Sequence, residues 1–291
     1  MYEFNLRALQ LKEIDILQQV HDTCEKLGIE YFICFGTFIG AVRHKGFIPW
    51  DDDIDIAMTW ENYDRFIKEA PAVLPDNLMI QHWRYEADCP NVFAKVRDKT
   101  TTFLHHEHID LDICQGVFID IFPITRVKEG MKNVMREKKR RFRFNVINEC
   151  LDIAYVNHMN TPKKRFFGKI INAVFAHGPF KIRNRAKFIA REENRMRKLD
   201  AKGYPYTYYD NCWGPYSHYL ERALYEYEGH LFWGPKDYDG VLRLHYGDYM
   251  KILPPEKQRT HKPLYVDLTR DRKSTRLNSS HTDSSRMPSS A

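Results

Sequence analysis

No two cysteines in this chain are spaced as a CxxC pair. The six thiols, Cys24, Cys34, Cys89, Cys114, Cys150 and Cys212, are scattered, and several sit inside apolar runs. That excludes a zinc ribbon built on cysteine pairs and argues against a disulfide scaffold, so free thiols in a reducing cytoplasm are expected. No apolar run approaches the roughly 18–20 residues that a membrane-crossing helix needs. The opening MYEFNLRALQLKEIDIL lacks a basic segment followed by an apolar one, so a signal peptide is not expected. No internal repeat is visible. Excess charge is also scarce: a formal net charge of +6 over 291 residues suits an anionic substrate or membrane surface. It is too weak to argue for nucleic acid by itself.

Core-forming residues are plentiful, at 43% hydrophobic and 14% aromatic. That is enough for one large domain, or a domain with a sizeable appendage. The end of the chain differs. From about Asp271 it reads RKSTRLNSSHTDSSRMPSSA, which is rich in Ser, Thr and Arg. Residues 271–291 are therefore expected to be disordered, and they read like non-native sequence outside the fold.

Leu6, Leu9, Leu17, Val20, Cys24 and Leu27 recur at helical spacing, with Gly28 as a stop. A strand over Glu30 to Phe35 follows. Gly36-Thr37 then turns the chain, with Thr37 capping a short helix from about Phe38 to Lys45 that Gly46 ends. A strand to about Thr59 and a helix from Trp60 to Ala70 come next. The stretch from Leu78 to Phe122 reads as strands, including the apolar run GVFIDIFP bounded by Gly116 and Pro123. One long helix is predicted over Lys128 to His158, with seven basic residues and one acid between Lys132 and Arg143. Thr161-Pro162 opens a further helix, and another runs from Phe180 to Leu199. From Tyr204 to Tyr265 the chain is Tyr-, Trp-, Gly- and Pro-rich, and reads as irregular but ordered.

The anomaly is carboxylates inside apolar strands. Asp53 and Asp55 alternate with Ile54 and Ile56, and Asp120 sits between Ile119 and Ile121. Burying an ionised group is costly unless it is paired or binds a metal. Strand alternation would turn Asp53 and Asp55 to one face and the isoleucines to the core. Strand carboxylates plus substrate phosphates make a natural Mg²⁺ (or Mn²⁺) site. A glycine turn into a helix N-terminus supplies backbone N–H groups for phosphate. Gly36 and Thr37 are therefore the phosphate-holding candidates, and Asp53, Asp55 and Asp120 the metal-binding and catalytic ones.

These residues resemble a known pattern. A Gly-Thr turn, a DIDI strand and a later IDI strand are similar to the nucleotidyltransferase superfamily that includes DNA polymerase beta. More specifically, GTFIGAVRHKGFIPWDDDIDIAM resembles the LicD family of phosphocholine transferases, related to fukutin and fukutin-related protein. GVFIDIFP matches that family's third-carboxylate segment. The segment YEGHLFWGPKDYDGVLRLHYGDYMKILPPEKQRTH resembles its C-terminal pattern. Thr37 stands where Ser is commoner in the wider superfamily, and it keeps the hydroxyl.

The resemblance implies an α/β (α+β) nucleotidyltransferase core with a mixed sheet over residues 1–125. A helical and Tyr/Trp-rich C-terminal part, 126–270, would complete the site. It implies transfer of a phospho-substituted group, phosphocholine from CDP-choline or a related CDP-alcohol, to a sugar hydroxyl of a cell-surface polysaccharide such as lipopolysaccharide, teichoic acid or capsule. Asp120 could also take the proton from that hydroxyl. Beside an anionic substrate, Arg43 with His44 and Lys45 is expected to contact phosphate, because a guanidinium binds two phosphate oxygens at once. Lys95 and Arg97 project from one strand face, either toward the diphosphate or onto an exposed sheet surface. Arg259 and His261 are further candidates for substrate contact. Tyr246, Gly247 and Asp248 are expected to turn near the site. Trp213, Tyr216, Trp233 and Tyr238 offer material for an aromatic cage around a quaternary ammonium.

Other readings stay open: transfer of a nucleoside monophosphate to a small molecule or RNA, or an inactive glycan- or membrane-binding relative. His105, His106 and His108 with Glu107 invite a zinc reading, but a polar loop is the better one. The helix around Phe166, flanked by Lys163, Lys164, Arg165, Lys181 and Arg183, fits either a membrane interface or a core helix with basic ends, and the core helix is the preferred reading. The expected partners are the CDP-alcohol donor and a glycan acceptor, lipid-linked or free, with peripheral membrane contact at the inner face and no nucleic acid.

Overall fold

The computed structural model describes residues 4–105, 108–109, 111–209, 212–258, 260 and 263–271. The segment 272–291, set apart above, lies outside the described residues, as do Arg259, His261, His106 and Glu107.

The chain opens with α1 (Leu6–Leu27), whose first turn is capped by Asn5 Oδ1 accepting from Ala8 N at 3.0 Å. Gly28 ends it in the left-handed region at φ 61, which costs glycine no steric strain. A two-residue strand, β1 (Phe32–Ile33), leads into α2 (Phe35–His44). That helix begins three residues earlier than the sequence predicts. Its first residue, Phe35, has φ 49, a conformation that is strained for an aromatic residue and clusters at functional sites. Thr37 does not cap it. Lys45, at φ 59, ends it in place of Gly46.

β2 (Asp55–Thr59), α3 (Trp60–Glu69), β3 (Leu78–Gln81), β4 (Ala94–Asp98), β5 (Thr102–Leu104) and β6 (Phe118–Val127) follow. The predicted long helix divides into α4 (Met131–Cys150) and α5 (Ile153–His158). Next come α6 (Pro162–Asn172), with Thr161 as its cap, and α7 (Arg185–Asp200). The region read as irregular holds β7 (Tyr206–Tyr209), β8 (Cys212–Pro215), β9 (Arg222–Tyr227), β10 (His230–Pro235), α8 (Tyr238–Tyr246) and β11 (Tyr265–Asp267).

The result is a mixed α/β fold around a mixed sheet. Strand order is β1-β2-β6-β4-β3, and β2 and β6 are parallel while the other pairs are antiparallel. β6 is long enough to serve two neighbourhoods. Its first half pairs with β2 and β4, and residues 125–127 pair with β7, which in turn pairs with β8. The boundary expected near residue 125 thus falls inside a strand shared by both halves of the chain.

Alternation sorts the side chains of β2 and β6. Ile54, Ile56, Ile119 and Ile121 join α1 and α3 in the main core, with Leu17, Val20, Tyr63 and Phe66. The opposite face carries Asp55, Ala57, Asp120 and Phe122. There Phe32, Ala57, Phe122 and Tyr209 make a second, smaller cluster.

α6 departs from the preferred reading. A core helix would bury its aromatic side, yet only Gly168 and Asn172 are buried in this element. Phe166 is 64% exposed and Phe167 53%.

Candidate active site

Register builds the site. Asp55 on β2 stands directly opposite Asp120 on β6, and Asp120 stands opposite Lys95 on β4. Adjacent strands lie about 4.8 Å apart, so three charged side chains form one row across the sheet. Asp55, Asp120 and Lys95 are all at least nine-tenths buried. Lys95 Nζ donates to Asp120 Oδ1 at 2.5 Å and lies 3.7 Å from the centre of the Phe118 ring. Burial pulls the Lys95 ammonium below its ordinary pKa, with Asp120 opposing that pull. Burial pushes the Asp55 carboxyl well above its ordinary value, and the charges of Asp53, Asp120 and Asp51 add to the effect.

The β2 end of the row meets the start of α2. Thr37 Oγ1 accepts from Asp55 N at 2.9 Å, so the hydroxyl ties the helix to the strand and keeps its own proton for another acceptor. Asp51 lies over the first turn. A Cβ on Gly36 would sit 2.4 Å from Asp51 Oδ2, so glycine is required for that approach. A carboxylate is the charge that a helix N-terminus favours, by the same physics that draws phosphate there. Asp53 precedes β2 and is only partly buried, whereas Asp52 is 1% exposed.

The other candidates differ in their distance from this row, and Arg97 is near it, over the same Phe118 ring as Lys95. Arg43 is seven residues along α2 from Gly36, roughly 10 Å at 1.5 Å per residue. Its Nη1 donates to Tyr249 O at 2.6 Å and to Lys251 O at 3.2 Å, so it staples α2 to the late Tyr-Gly-Asp-Tyr segment. His44 sits beside it, held below its ordinary pKa by burial and by Arg43. The exposed Lys45 is the turn residue after α2, and its carbonyl accepts from Glu228 N at 2.8 Å. Arg97 is 2% exposed and donates to Gln81 Oε1 at 2.7 Å and Gly116 O at 2.6 Å. Both guanidinium groups thus hold carbonyl or amide oxygens in this arrangement. Gly247 closes α8 at φ 65, and the segment after it meets Arg43 at the far end of α2. The four rings proposed as a cage have other neighbours: Trp213 packs on the Val127, Val134 and Tyr208 cluster, Tyr216 takes Arg126, Trp233 takes Arg222 and Tyr238 takes Tyr225.

Two acidic residues were missed by sequence reasoning. Glu13 is 1% exposed, its Oε2 lacks a hydrogen-bond partner, and burial followed by the charges of Asp53, Asp52, Asp51 and Asp55 pushes its carboxyl well up. The signal was there: Glu13 lies four residues from both Leu9 and Leu17, on the apolar stripe of α1. Glu228 is a second. With Gly229 it forms the β9–β10 turn, φ 53 and φ 80, and it accepts from Phe47 N at 3.0 Å and Arg7 Nη2 at 2.5 Å.

Among the described residues, no three His, Cys, Asp or Glu side chains stand ready-made as a metal cage. The donor set still suits a hard divalent cation, because it is all carboxylate oxygen and its members repel one another at Asp55.

The family model described as LicD/FKTN/FKRP, nucleotidyltransferase domain, matches residues 28–159, which contain the whole row. The lipopolysaccharide cholinephosphotransferase LicD of Haemophilus influenzae is 30% identical over 276 residues, covering 90% of this chain and 97% of that protein. The chain belongs to the LicD family. An uncharacterized protein of Rickettsia typhi is 28% identical over 130 residues, 43% of this chain and 40% of that one. A shorter match, 43% identical over 56 residues, is to an uncharacterized protein of Rickettsia prowazekii, covering 19% of this chain and 20% of that one.

Proposed function

We propose that this LicD-family protein is a metal-dependent transferase with a nucleotidyltransferase-type core. It moves phosphocholine from CDP-choline to a sugar hydroxyl of a cell-surface polysaccharide, with lipopolysaccharide the first acceptor to test. The observation that carries this reading is the buried row of Asp55, Asp120 and Lys95 beside the start of α2. Asp53, Asp55 and Asp120 would hold Mg²⁺ or Mn²⁺. Such an ion commonly takes only one or two protein carboxylates and completes its shell with substrate phosphates and water, so no preformed three-carboxylate cage is needed. When bound, the ion neutralises charge on the diphosphate oxygens.

The chain's own groups do the rest. Backbone N–H groups at the start of α2 and the Thr37 hydroxyl hold phosphate oxygens. Asp120 takes the proton of the sugar hydroxyl as its oxygen bonds to the choline-bearing phosphorus. The bond from that phosphorus to the bridging oxygen breaks, and CMP leaves with the electron pair. Lys95, at 2.5 Å, keeps Asp120 oriented and its charge balanced.

Peripheral contact with an anionic membrane surface belongs to the same reading. No helix among the described residues is long and apolar enough to cross a membrane. α6 instead presents exposed Phe166, Phe167 and Ile170 beside exposed Lys163, Lys164, Arg165 and Lys169. That is the composition of a helix lying in an interface.

The test is a donor screen. Purified protein, Mg²⁺ and a panel of CDP-alcohols are incubated with lipopolysaccharide, and the acceptor is read by mass spectrometry. Gain of a phosphocholine mass with release of CMP is expected. Gain of a nucleotide mass would replace this reading with nucleotidyl transfer. Calorimetry showing no Mg²⁺-dependent binding of any CDP ligand would favour an inactive relative.

A further inference from the structure

A cavity of about 300 Å³ opens beside the segment that leads into Lys95 of the catalytic row. It lies between the segment entering β4, the inner face of α4 and the start of α5. Phe93 joins it to the row. That ring lies 4.5 Å from the ring of Phe122, two residues after Asp120, and Lys95 Nζ is 5.3 Å from its centre. Phe93 precedes Lys95 by two residues on one strand face, and Phe122 packs in turn on Phe35 at the start of α2, so one aromatic cluster lies between the cavity, the row and the helix. A second substrate held in the cavity would reach Asp120 past the Phe93 ring.

The lining is amide-rich. Its carboxylates are already engaged: Glu149 accepts from Tyr155 Oη at 2.7 Å, and Asp152 pairs with Arg185 at 2.8 Å. Arg141, whose Nη1 reaches Met196 Sδ at 3.2 Å, and His108 also line it, and Asn91, Asn145 and Asn148 supply its amides. Asn148 is 4% exposed, and its amide nitrogen donates to Pro90 O. Its Oδ1 and the Nδ2 of Asn91 both lack a hydrogen-bond partner. A buried polar atom left unpaired costs about 1–3 kcal/mol, so an orphan acceptor and an orphan donor on one cavity point to an occupant that supplies both. Adjacent hydroxyls of a sugar ring both donate and accept, and an aromatic ring such as Phe93 suits the apolar C–H face of a sugar.

We propose that this cavity is the acceptor subsite and takes a hydroxyl-rich sugar ring through Asn91, Asn145 and Asn148, placing one hydroxyl toward Asp120. The assignment to the acceptor rests on the transferase reading above; the binding of a sugar ring does not.

The experiment measures binding of methyl glycosides of glucose, galactose and N-acetylglucosamine to the full chain by ligand-observed NMR, with CDP-choline as a separate ligand. At least one glycoside should bind in the millimolar range. Asn145→Leu, which places a branched apolar side chain in the cavity, should weaken that glycoside by at least about tenfold and leave CDP-choline binding within about twofold. Asn91→Leu, a second variant on the opposite wall, should do the same if the first variant melts early. Wild-type protein that binds CDP-choline but none of the glycosides, with the cavity then holding only water, overturns the subsite and spares the transferase reading. Glycoside binding untouched by both variants also overturns it. Glycosides that bind and respond to the variants while no CDP-alcohol binds would leave the sugar cavity standing and sink the transferase reading.

Discussion

The central sheet and the α4–α6 helices break the usual rule of burial in opposite directions. On the sheet, Asp55, Asp120, Lys95 and Arg97 are at least nine-tenths buried. On α6, Phe166, Phe167 and Ile170 face out. Residues 153–191 contain no Asp or Glu, and nine Lys or Arg. Ordinary folding would reverse both placements, since ionised side chains are almost never fully buried unless paired and large apolar patches are rarely left bare. The two regions also differ in how the exception is tolerated. Register compensates the buried charges, because β4 brings Lys95 to Asp120. Within α6 the exposed rings of Phe166 and Phe167 pack only edge-on against each other. The proposed chemistry rests on the buried charge, and the proposed membrane contact on the bare apolar surface.

The sharpest way to break the comparison is to remove the compensating cation. Lys95→Met leaves Asp120 buried beside Asp55 without its partner, and should cost about 3–5 kcal/mol of stability in metal-free buffer. Chemical denaturation reads this directly, and a loss under about 1 kcal/mol would mean that the row is better solvated than its burial implies.

A second test uses the pH dependence of the row. Burial and neighbouring charge hold Asp55 and Glu13 above their ordinary carboxyl values. Across the window from an ordinary carboxyl, about pH 4, up to those raised values, the folded state binds more protons than the unfolded state. Stability therefore falls as pH rises through that window. Asp55→Asn removes one contributor. In EDTA its Tm should move above that of the wild type, by a margin that grows from about pH 4 upward. A margin independent of pH would contradict the placement of Asp55. His44, His218 and His245 are held low by burial and contribute the opposite slope, and they cancel in the difference between the two proteins.

The smallest effect on stability is expected at α6. Phe166→Glu with Phe167→Glu should change Tm little, because exposed positions of this kind usually stay within about 0.5 kcal/mol. The same pair should abolish sedimentation with phosphatidylglycerol vesicles, and wild-type binding should weaken as salt rises. Equal sedimentation of both proteins would assign α6 another partner.

Much of this contrast was legible in the chain. Acids among isoleucines announced β2 and β6, and Gly28 announced the end of α1. Helical spacing with a Thr161-Pro162 start announced α6. What a linear pattern does not carry is which strand lies beside which. The pairing of Asp55 with Asp120 spans 65 residues, and that of Asp120 with Lys95 exists only because β4 runs back along β6. Alternation gave Lys95 and Arg97 one face but could not separate their roles, which differ by the carbonyl and amide that Arg97 reaches. The hold of Arg43 on the late segment was hidden for the same reason, since its carbonyl partners lie more than 200 residues away. Glu13 went unread because a single acid on an apolar stripe looks like noise until the segment 51–55 is folded against it. β7 to β10 were hidden by aromatic, Gly- and Pro-rich composition that resembles loop, although the Glu228-Gly229 pair takes the positive φ angles that favour a tight hairpin.

The claim at the centre is that the carboxylates beside α2 carry out metal-assisted phosphocholine transfer. The most direct measurement is the rate of CMP release from CDP-choline, with acceptor and Mg²⁺ present, for wild type and for Asp53→Asn. Asp53 is only partly buried, so its isosteric replacement should leave the circular dichroism spectrum and Tm nearly unchanged. The rate should fall by a factor on the order of 10³, the scale seen when an electrostatic stabiliser of the transition state is lost. An Asp53→Asn protein that turns over at the wild-type rate would contradict it.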